Sequence, residues 1–248
     1  MKATNELRDT ALHKAAGEGH DSTVELLLGA GVPIDSEGYL GDTALHVAAM
    51  QGNTSTVKLL LDHKASIKAT NEIGDTAFHK AAFKGNTSVV ELLLWAGVPV
   101  DSISESGEKG ESGDTALYLA VRGGHDSTVK LLLDHKASIE ATNELGDTAL
   151  HVAAAEGHDS IAQLLLDEGA SIDVQNEDNQ TPLHYAIHAH NESIVQLLIQ
   201  NRANSFQGGW DLLDALEDEA MRERMKAFRS QHYEMVTHCI VYSMSEPT

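Results

Sequence analysis

Short runs of leucine and valine recur along the chain at a helical spacing. In one example, Val57, Leu60 and Leu61 fall on one face of an α-helix. A shorter alanine-rich run precedes each of these segments, and most pairs of runs are separated by Gly-His or Gly-Asn. The pattern predicts pairs of short helices, each with an apolar face that a single pair cannot bury.

A repeated four-residue block introduces each helix pair. The block reads Thr-Ala-Leu-His at residues 10–13, 43–46 and 148–151, with close variants at 76–79, 115–118 and 181–184. Successive threonines are 33, 33, 39, 33 and 33 residues apart. Threonine favours the N-cap position, so each block predicts the first turn of a helix. The near-constant period predicts six stacked copies of one structural unit.

These repeats resemble the ankyrin repeat over residues 1–206. The resemblance rests on the six blocks, on small pairs such as Ala15-Ala16, and on leucine-rich runs such as Val24 to Leu28. It implies an all-α repeat solenoid, a stack of helix pairs with projecting β-hairpin loops. In this family, partner proteins usually dock on the hairpin tips and on the exposed faces of the first helices, which line a concave groove.

The repeat pattern decays after Asn201, so residues 207–248 are interpreted as a degenerate helical cap and a tail. Residues 217–229 run from acidic to basic, as the helix dipole favours. The predicted apolar face of this cap carries Leu213, Leu216, Met225 and Phe228. The apolar segment 233–242 is expected to fold back on the last repeat or to pair with a partner.

The first repeat has no matching cap in the sequence. An apolar face with Leu12, Val24, Leu27 and Leu28 is therefore expected to be open. This leaves three alternatives: a covering partner, a longer array, or self-association through the first repeat.

Two local departures from the repeat stand out. Six extra residues fall within the hairpin at 102–113, a Ser-, Gly- and Glu-rich segment expected to form a flexible finger. Such an insertion is tolerated at a loop tip, or it contacts a partner. Trp95 ends a second helix at the position of Gly29, Asp62 and Asp134. Its expected role is to cover the finger or to touch a partner.

Charge excludes several classes of partner. The chain carries 38 Asp and Glu against 17 Lys and Arg, a formal net charge of −21. This balance opposes nucleic acid and anionic membrane surfaces. One cysteine, Cys239, excludes an intrachain disulfide and a cysteine-based zinc site. We therefore expect a reducing intracellular location, cytoplasmic or nuclear.

The 14 histidines do not predict a metal site. Five of them recur at one repeat position, where the resemblance implies a hydrogen bond to the backbone: His13, His46, His79, His151 and His184. His20, His125 and His158 belong to the turn between the two helices. The sequence contains no P-loop, dinucleotide fingerprint or zinc-protease motif, so neither a cofactor nor a metal is expected.

The family's binding positions, carried over repeat by repeat, give an apolar and basic patch on an acidic protein. The expected partner-binding residues are Tyr39, Leu40, Met50, Lys80, Phe83, Lys84, Arg122 and Tyr185. Exposed aromatic residues, Met and Arg are enriched at protein interfaces. The leading hypothesis is a non-catalytic scaffold that binds a protein with an acidic and apolar surface.

An enzyme or small-molecule-binding protein that uses the same groove is the alternative. The degenerate C-terminal cap would then form a wall. Candidate acid, base and electrostatic groups are Asp114, Arg122, Glu156, Tyr185 and His188. A deep closed pocket at these residues would favour this alternative.

Overall fold

Each repeated block begins an α-helix, and a second helix follows each one. The computed structural model describes residues 9–104, 113–207, 210–215, 219–220 and 222–231. The first helices are α1 (Ala11–Gly17), α3 (Ala44–Gln51), α5 (Ala77–Phe83), α7 (Ala116–Arg122), α9 (Ala149–Glu156) and α11 (Pro182–His188). The second helices are α2 (Asp21–Gly29), α4 (Thr54–Asp62), α6 (Thr87–Trp95), α8 (Asp126–Asp134), α10 (Asp159–Asp167) and α12 (Glu192–Gln200). The predicted all-α repeat architecture is confirmed.

The chain divides into two compact units, Met1–Ala149 and Leu150–Thr248. In the first unit, α1, α3, α5 and α7 pack side by side as one layer, and α2, α4, α6 and α8 form the other. Alanines such as Ala48, Ala81 and Ala120 are fully buried and allow the first helices to approach closely. Leu60 and Leu132, from the leucine-rich runs, are also fully buried.

In the second unit, α12 packs against α10 and α11. Two short antiparallel strands follow, β1 (Phe206–Gln207) and β2 (Trp210–Asp211), and then a 3₁₀ turn at Leu212–Ala215. Residues 219–220 and 222–231 are helical. Leu213 and Met225, from the predicted apolar face of the cap, are buried. Leu216 and the segment 233–242 lie outside the described residues.

The recurring histidine joins one repeat to the next. In the first copy, the Thr10 N–H donates to Nδ1 of His13 at 3.2 Å, and Thr10 Oγ1 lies 2.8 Å from the same nitrogen. Since Nδ1 accepts a hydrogen bond, Nε2 carries the proton and donates to the Asp42 carbonyl at 2.9 Å. Matching bonds run from His46 to Asp75, from His79 to Ser102 and from His151 to Gln180. The neutral imidazole therefore caps its own helix and also holds the loop between that repeat and the next. We call this loop the hairpin, after the element that the family resemblance implies there.

A second set of bonds satisfies the ends of the first helices, whose last carbonyls have no partner inside the helix. Nδ2 of Asn53 donates to the carbonyls of Ala16 and Gly17, both at 2.9 Å. Asn86 makes the same pair of bonds to Ala49 and Met50, and Asn191 to Ala154 and Ala155. The asparagine before a second helix thus bonds its own repeat to the preceding one.

The first repeat is less open than the sequence indicated. Leu12 and Val24 are fully buried, whereas Leu27 is partly exposed and Leu26 is 75% exposed. The leucines of α2 that keep exposed surface are therefore Leu26, Leu27 and Leu28. Among the described residues, no helix has the length and apolar character needed to cross a membrane.

Replacing Leu60 or Leu132 by Ala should lower the free energy of unfolding by about 2–5 kcal/mol, because each change leaves a cavity between repeats. Urea unfolding followed by circular dichroism measures this effect. Lys58→Ala is the matched control, since Lys58 is exposed on the same helix as Leu60. Equal unfolding midpoints for all variants would contradict the packing described here.

Candidate functional site

The last turns of α3, α5 and α7 form a row of side chains that differ from repeat to repeat. Met50, Phe83 and Arg122 each stand seven residues after the capping threonine, and their helices pack side by side. Phe83 is 39% exposed, Arg122 is exposed, and Met50 is partly buried. Nζ of exposed Lys84 lies 5.3 Å from the centre of the Phe83 ring. We call Met50, Phe83, Lys84 and Arg122 the Phe83 row.

The backbone beneath the Phe83 row is held by the following repeats. The Met50 carbonyl accepts from Nδ2 of Asn86 at 2.9 Å, and the Phe83 carbonyl from Nε2 of His125 at 2.9 Å. Gly85 has a φ of +69°, and a Cβ there would lie 2.5 Å from the His125 ring. A side chain at residue 85 would therefore displace the bond that fixes Phe83. The row is a preorganised surface.

Lys80 differs from the exposed cation that the sequence predicted. Its side chain is 14% exposed, and Nζ lies 3.8 Å from Oδ1 of Asp42 and 3.7 Å from Oδ2 of Asp75. Asp42 also accepts from Nδ2 of Asn71 at 2.8 Å, and Asp75 from Oγ of Ser104 at 2.9 Å. Lys80 thus links neighbouring hairpins, and the accessible cations of the patch are Lys84 and Arg122.

Tyr39 and Leu40, two of the predicted partner-binding residues, are exposed at a loop tip. Tyr39 and Leu40 lie in a 3₁₀ turn at Tyr39–Gly41, in which Leu40 has a φ of 52°. The Leu40 carbonyl accepts from the Glu72 N–H at 2.9 Å, so adjacent hairpins are joined. Ile73 and Leu145, at the same hairpin position as Leu40, are also exposed. The first unit therefore presents apolar tips in addition to the Phe83 row.

Tyr185, Glu156 and His188 belong to the second unit. The Tyr185 hydroxyl accepts from Nδ2 of Asn176 at 3.1 Å, and its ring packs edge-on against His151 at 5.3 Å. Tyr185 is partly buried by these contacts, whereas Glu156 and His188 are exposed. The structure thus gives Tyr185 a packing role that its repeat position did not indicate.

Two open depressions in the described part of the chain are lined by residues other than those suggested for catalysis. One open depression is lined by residues of α10 and α12, and another by residues at the ends of α4 and α6. Neither contains Asp114, Arg122, Glu156, Tyr185 or His188. In the described part of the chain, no cluster of three His, Cys, Asp or Glu side chains could hold a metal ion.

Tyr118 takes the place of the recurring histidine in the fourth repeat. Burial, together with the carboxylates of Asp114 and Asp147, raises the pKa of Tyr118 to about 12. The hydroxyl therefore stays protonated at neutral pH and lies 3.2 Å from Nδ2 of Asn143, which donates to it. The interactions of Tyr118 join its helix to the next hairpin, as the histidines do elsewhere.

Two large apolar side chains on second helices are highly exposed. Trp95 is 78% exposed and Leu26 is 75% exposed. Trp95 was recognisable as a departure from the repeat. Leu26 was not, because leucine occupies the same repeat position at residues 59, 92 and 131. In the structure, those three leucines are partly buried.

Stability should fall as the pH drops from 7.5 to 5.5. Burial lowers the pKa of His46, His79 and His184 below the usual 6.5, and at His46 and His79 it outweighs the opposing effect of nearby aspartates and of hydrogen bonds to backbone carbonyls. The unfolded chain therefore binds more protons in this range, and its free energy falls relative to that of the folded chain. Thermal melts across the range should show a steadily falling midpoint.

His79→Gln should reduce this pH dependence, because one buried imidazole no longer gains a proton on unfolding. His63→Gln is the control for loss of a histidine, since His63 is exposed. A midpoint that rises toward pH 5.5 would contradict the account.

Lys80→Val should destabilise the first unit by about 2 kcal/mol, because two largely buried carboxylates lose their countercharge. Valine is the residue at this position in α3 and α9, so it fits the helix. Lys84→Ala, at an exposed site, should have little effect in the same urea titration. Equal stability of the Lys80→Val variant and the unaltered protein would show that the ion pairs contribute nothing.

The comparisons with known proteins agree with this geometry. A family model described as ankyrin repeats (3 copies) matches residues 12–104, 78–176 and 137–208. These windows together cover most of the chain. No curated protein matches the chain at a significant level.

Two solved structures share the fold. The human ASB11 ankyrin repeat domain superposes with a TM-score of 0.79 at 25% sequence identity, covering 89% of this chain and 98% of that one. The ankyrin repeat domain of Bcl-3, described as a unique member of the IkappaB protein family, gives a TM-score of 0.70 at 28% identity. That match covers 88% of this chain and 98% of the Bcl-3 chain.

Proposed function

Because the chain belongs to the ankyrin-repeat family, whose repeats generally mediate protein–protein interaction, we propose that it is a non-catalytic recognition scaffold. Its partner protein docks on the first-helix side of the array, in the concave groove that the family resemblance implies. The Phe83 row is the centre of this surface, and the tips at Tyr39 and Leu40 extend it.

The observation that carries the proposal is an exposed aromatic ring beside exposed cations on a rigid backbone. Aromatic and arginine side chains are enriched at protein interfaces, where a few residues carry most of the binding energy. Phe83 offers apolar area, and the hydrogen bond from His125 to its carbonyl limits the ordering cost of binding. The residue type at the repeat position of Phe83 differs between repeats, whereas the threonines and histidines that stabilise the fold recur.

Charge defines the kind of partner. Lys84 and Arg122 are exposed on a chain of net charge −21, so they mark a local cationic surface. Lys80 adds little to it, because Asp42 and Asp75 neutralise its charge. The best match is a partner whose surface places carboxylates around an apolar side chain.

The test begins with affinity capture from the native host and continues with the purified partner. Lys84→Glu combined with Arg122→Glu should mainly slow association and reduce its salt dependence. Phe83→Ala should mainly speed dissociation and weaken binding by roughly 1–3 kcal/mol. Surface plasmon resonance separates the two rates.

Ser127→Ala, at an exposed position on α8, is the control for an alteration outside the Phe83 row. Circular dichroism and melting establish that every variant remains folded. A partner that binds all the folded variants with unchanged affinity would place recognition away from the first helices.

A further inference from the structure

Trp95 is an apolar surface group with no partner in the described part of the chain. It is the last residue of α6, its side chain is 78% exposed, and its indole N–H donates no hydrogen bond there. At the same helix position the other repeats carry Gly29, Asp62, Asp134, Asp167 and Gln200. Tryptophan joins a large apolar ring to one polar group and is enriched at interfaces.

An open depression of about 400 Å³ lies between the segments that follow α4 and α6, and its lining includes Ala96, the residue after Trp95. Leu61, Ala65 and Ile67 give it apolar walls on one side. Ala96 is the lining residue that follows α6. An apolar side chain of a bound segment would lose part of its contact with water in this depression, and the exposed Trp95 ring, one residue from its lining, is available to the same segment.

Both charged residues that line this depression are lysines. Lys64 and Lys68 are exposed, and among the described residues neither forms an ion pair with a carboxylate. Of the nearby acids, Asp35 accepts a hydrogen bond from the Ser66 N–H at 2.9 Å, and Asp62 is exposed at the end of α4. Lys64 and Lys68 thus differ from Lys80, which two aspartates neutralise.

We propose that Trp95 and the adjacent depression form a second protein-docking surface, which takes an acidic segment carrying apolar side chains. The lysines select carboxylates, and the depression and the indole ring take the apolar groups. A second copy of this chain is disfavoured as the occupant, because two chains of net charge −21 repel each other.

This surface is separate from the Phe83 row. Trp95 belongs to the layer of second helices and Phe83 to the layer of first helices. A partner bound to one layer would leave the other layer accessible to a second partner. The protein would then bring two partners together, and the Trp95 surface can be tested without reference to the Phe83 row.

The probe is a phage-displayed library of 12-residue peptides, selected on the full chain. Peptides released by excess unaltered protein but not by the Trp95→Gln variant are retained and sequenced. Glutamine is the residue at this position in α12, so the substitution suits the helix and adds no charge. The retained peptides should be enriched in Asp and Glu together with Leu, Ile, Phe or Trp.

Synthetic versions of these peptides give the affinities. Trp95→Gln should weaken binding by at least about 10-fold, and Lys64→Glu with Lys68→Glu by several-fold, with a smaller salt dependence. Phe83→Ala and Leu26→Ala should leave the affinity unchanged, Leu26 being equally exposed on α2. In a Trp210→Phe background, binding should shift Trp95 fluorescence to shorter wavelength.

Several results would overturn the proposal. One is a selection without Trp95-dependent peptides, or one enriched in Lys and Arg. Another is Trp95 fluorescence shielded from acrylamide in the isolated chain, which would mean that the chain covers its own indole. A third is sedimentation of a dimer that Trp95→Gln dissociates, which would make a second copy the occupant. Melting curves of Trp95→Gln establish that it is folded.

Discussion

The structure depends on one constraint: no helix pair can bury its own leucine face. Leu60 and Leu132 reach full burial because neighbouring second helices pack against each other. The buried alanines of the first helices have the complementary role, since their small side chains bring adjacent repeats into contact. Stability therefore comes from interfaces between repeats, and positions that face away from those interfaces are free to change.

Polar contacts follow from the same constraint. Short helices leave many backbone carbonyls without a partner, and each repeat supplies donors to the one before it. Asn53 and Asn86 satisfy the ends of the preceding first helices, and His13 and His46 hold the hairpins that follow them. The buried Nε2 of His158 has no hydrogen-bond partner among the described residues. The hydrogen bond that His125 donates to the preceding repeat is therefore not reproduced by His158.

The spacing of threonine and leucine predicted the helix pairs, their caps and the family correctly, because these features depend on local periodicity. The sequence could not reveal which charged residues stay accessible. Lys80 and Lys84 differ in sequence by four positions, yet one lies between two aspartates and the other lies exposed over Phe83. The contact with Asp42, which lies 38 positions earlier in the chain, is one that local sequence does not reveal. Leu26 illustrates the same point, because its exposure depends on neighbours and not on its own repeat position.

The central claim is that recognition takes place on the first-helix layer, at Phe83. Photo-crosslinking tests it most directly, with p-benzoylphenylalanine placed at residue 83 in one variant and at exposed Ser127 of α8 in another. The account predicts that light joins the captured partner to the residue 83 variant and not to the residue 127 variant. Crosslinks at residue 127 alone, with both variants folded and bound to the partner, would contradict it.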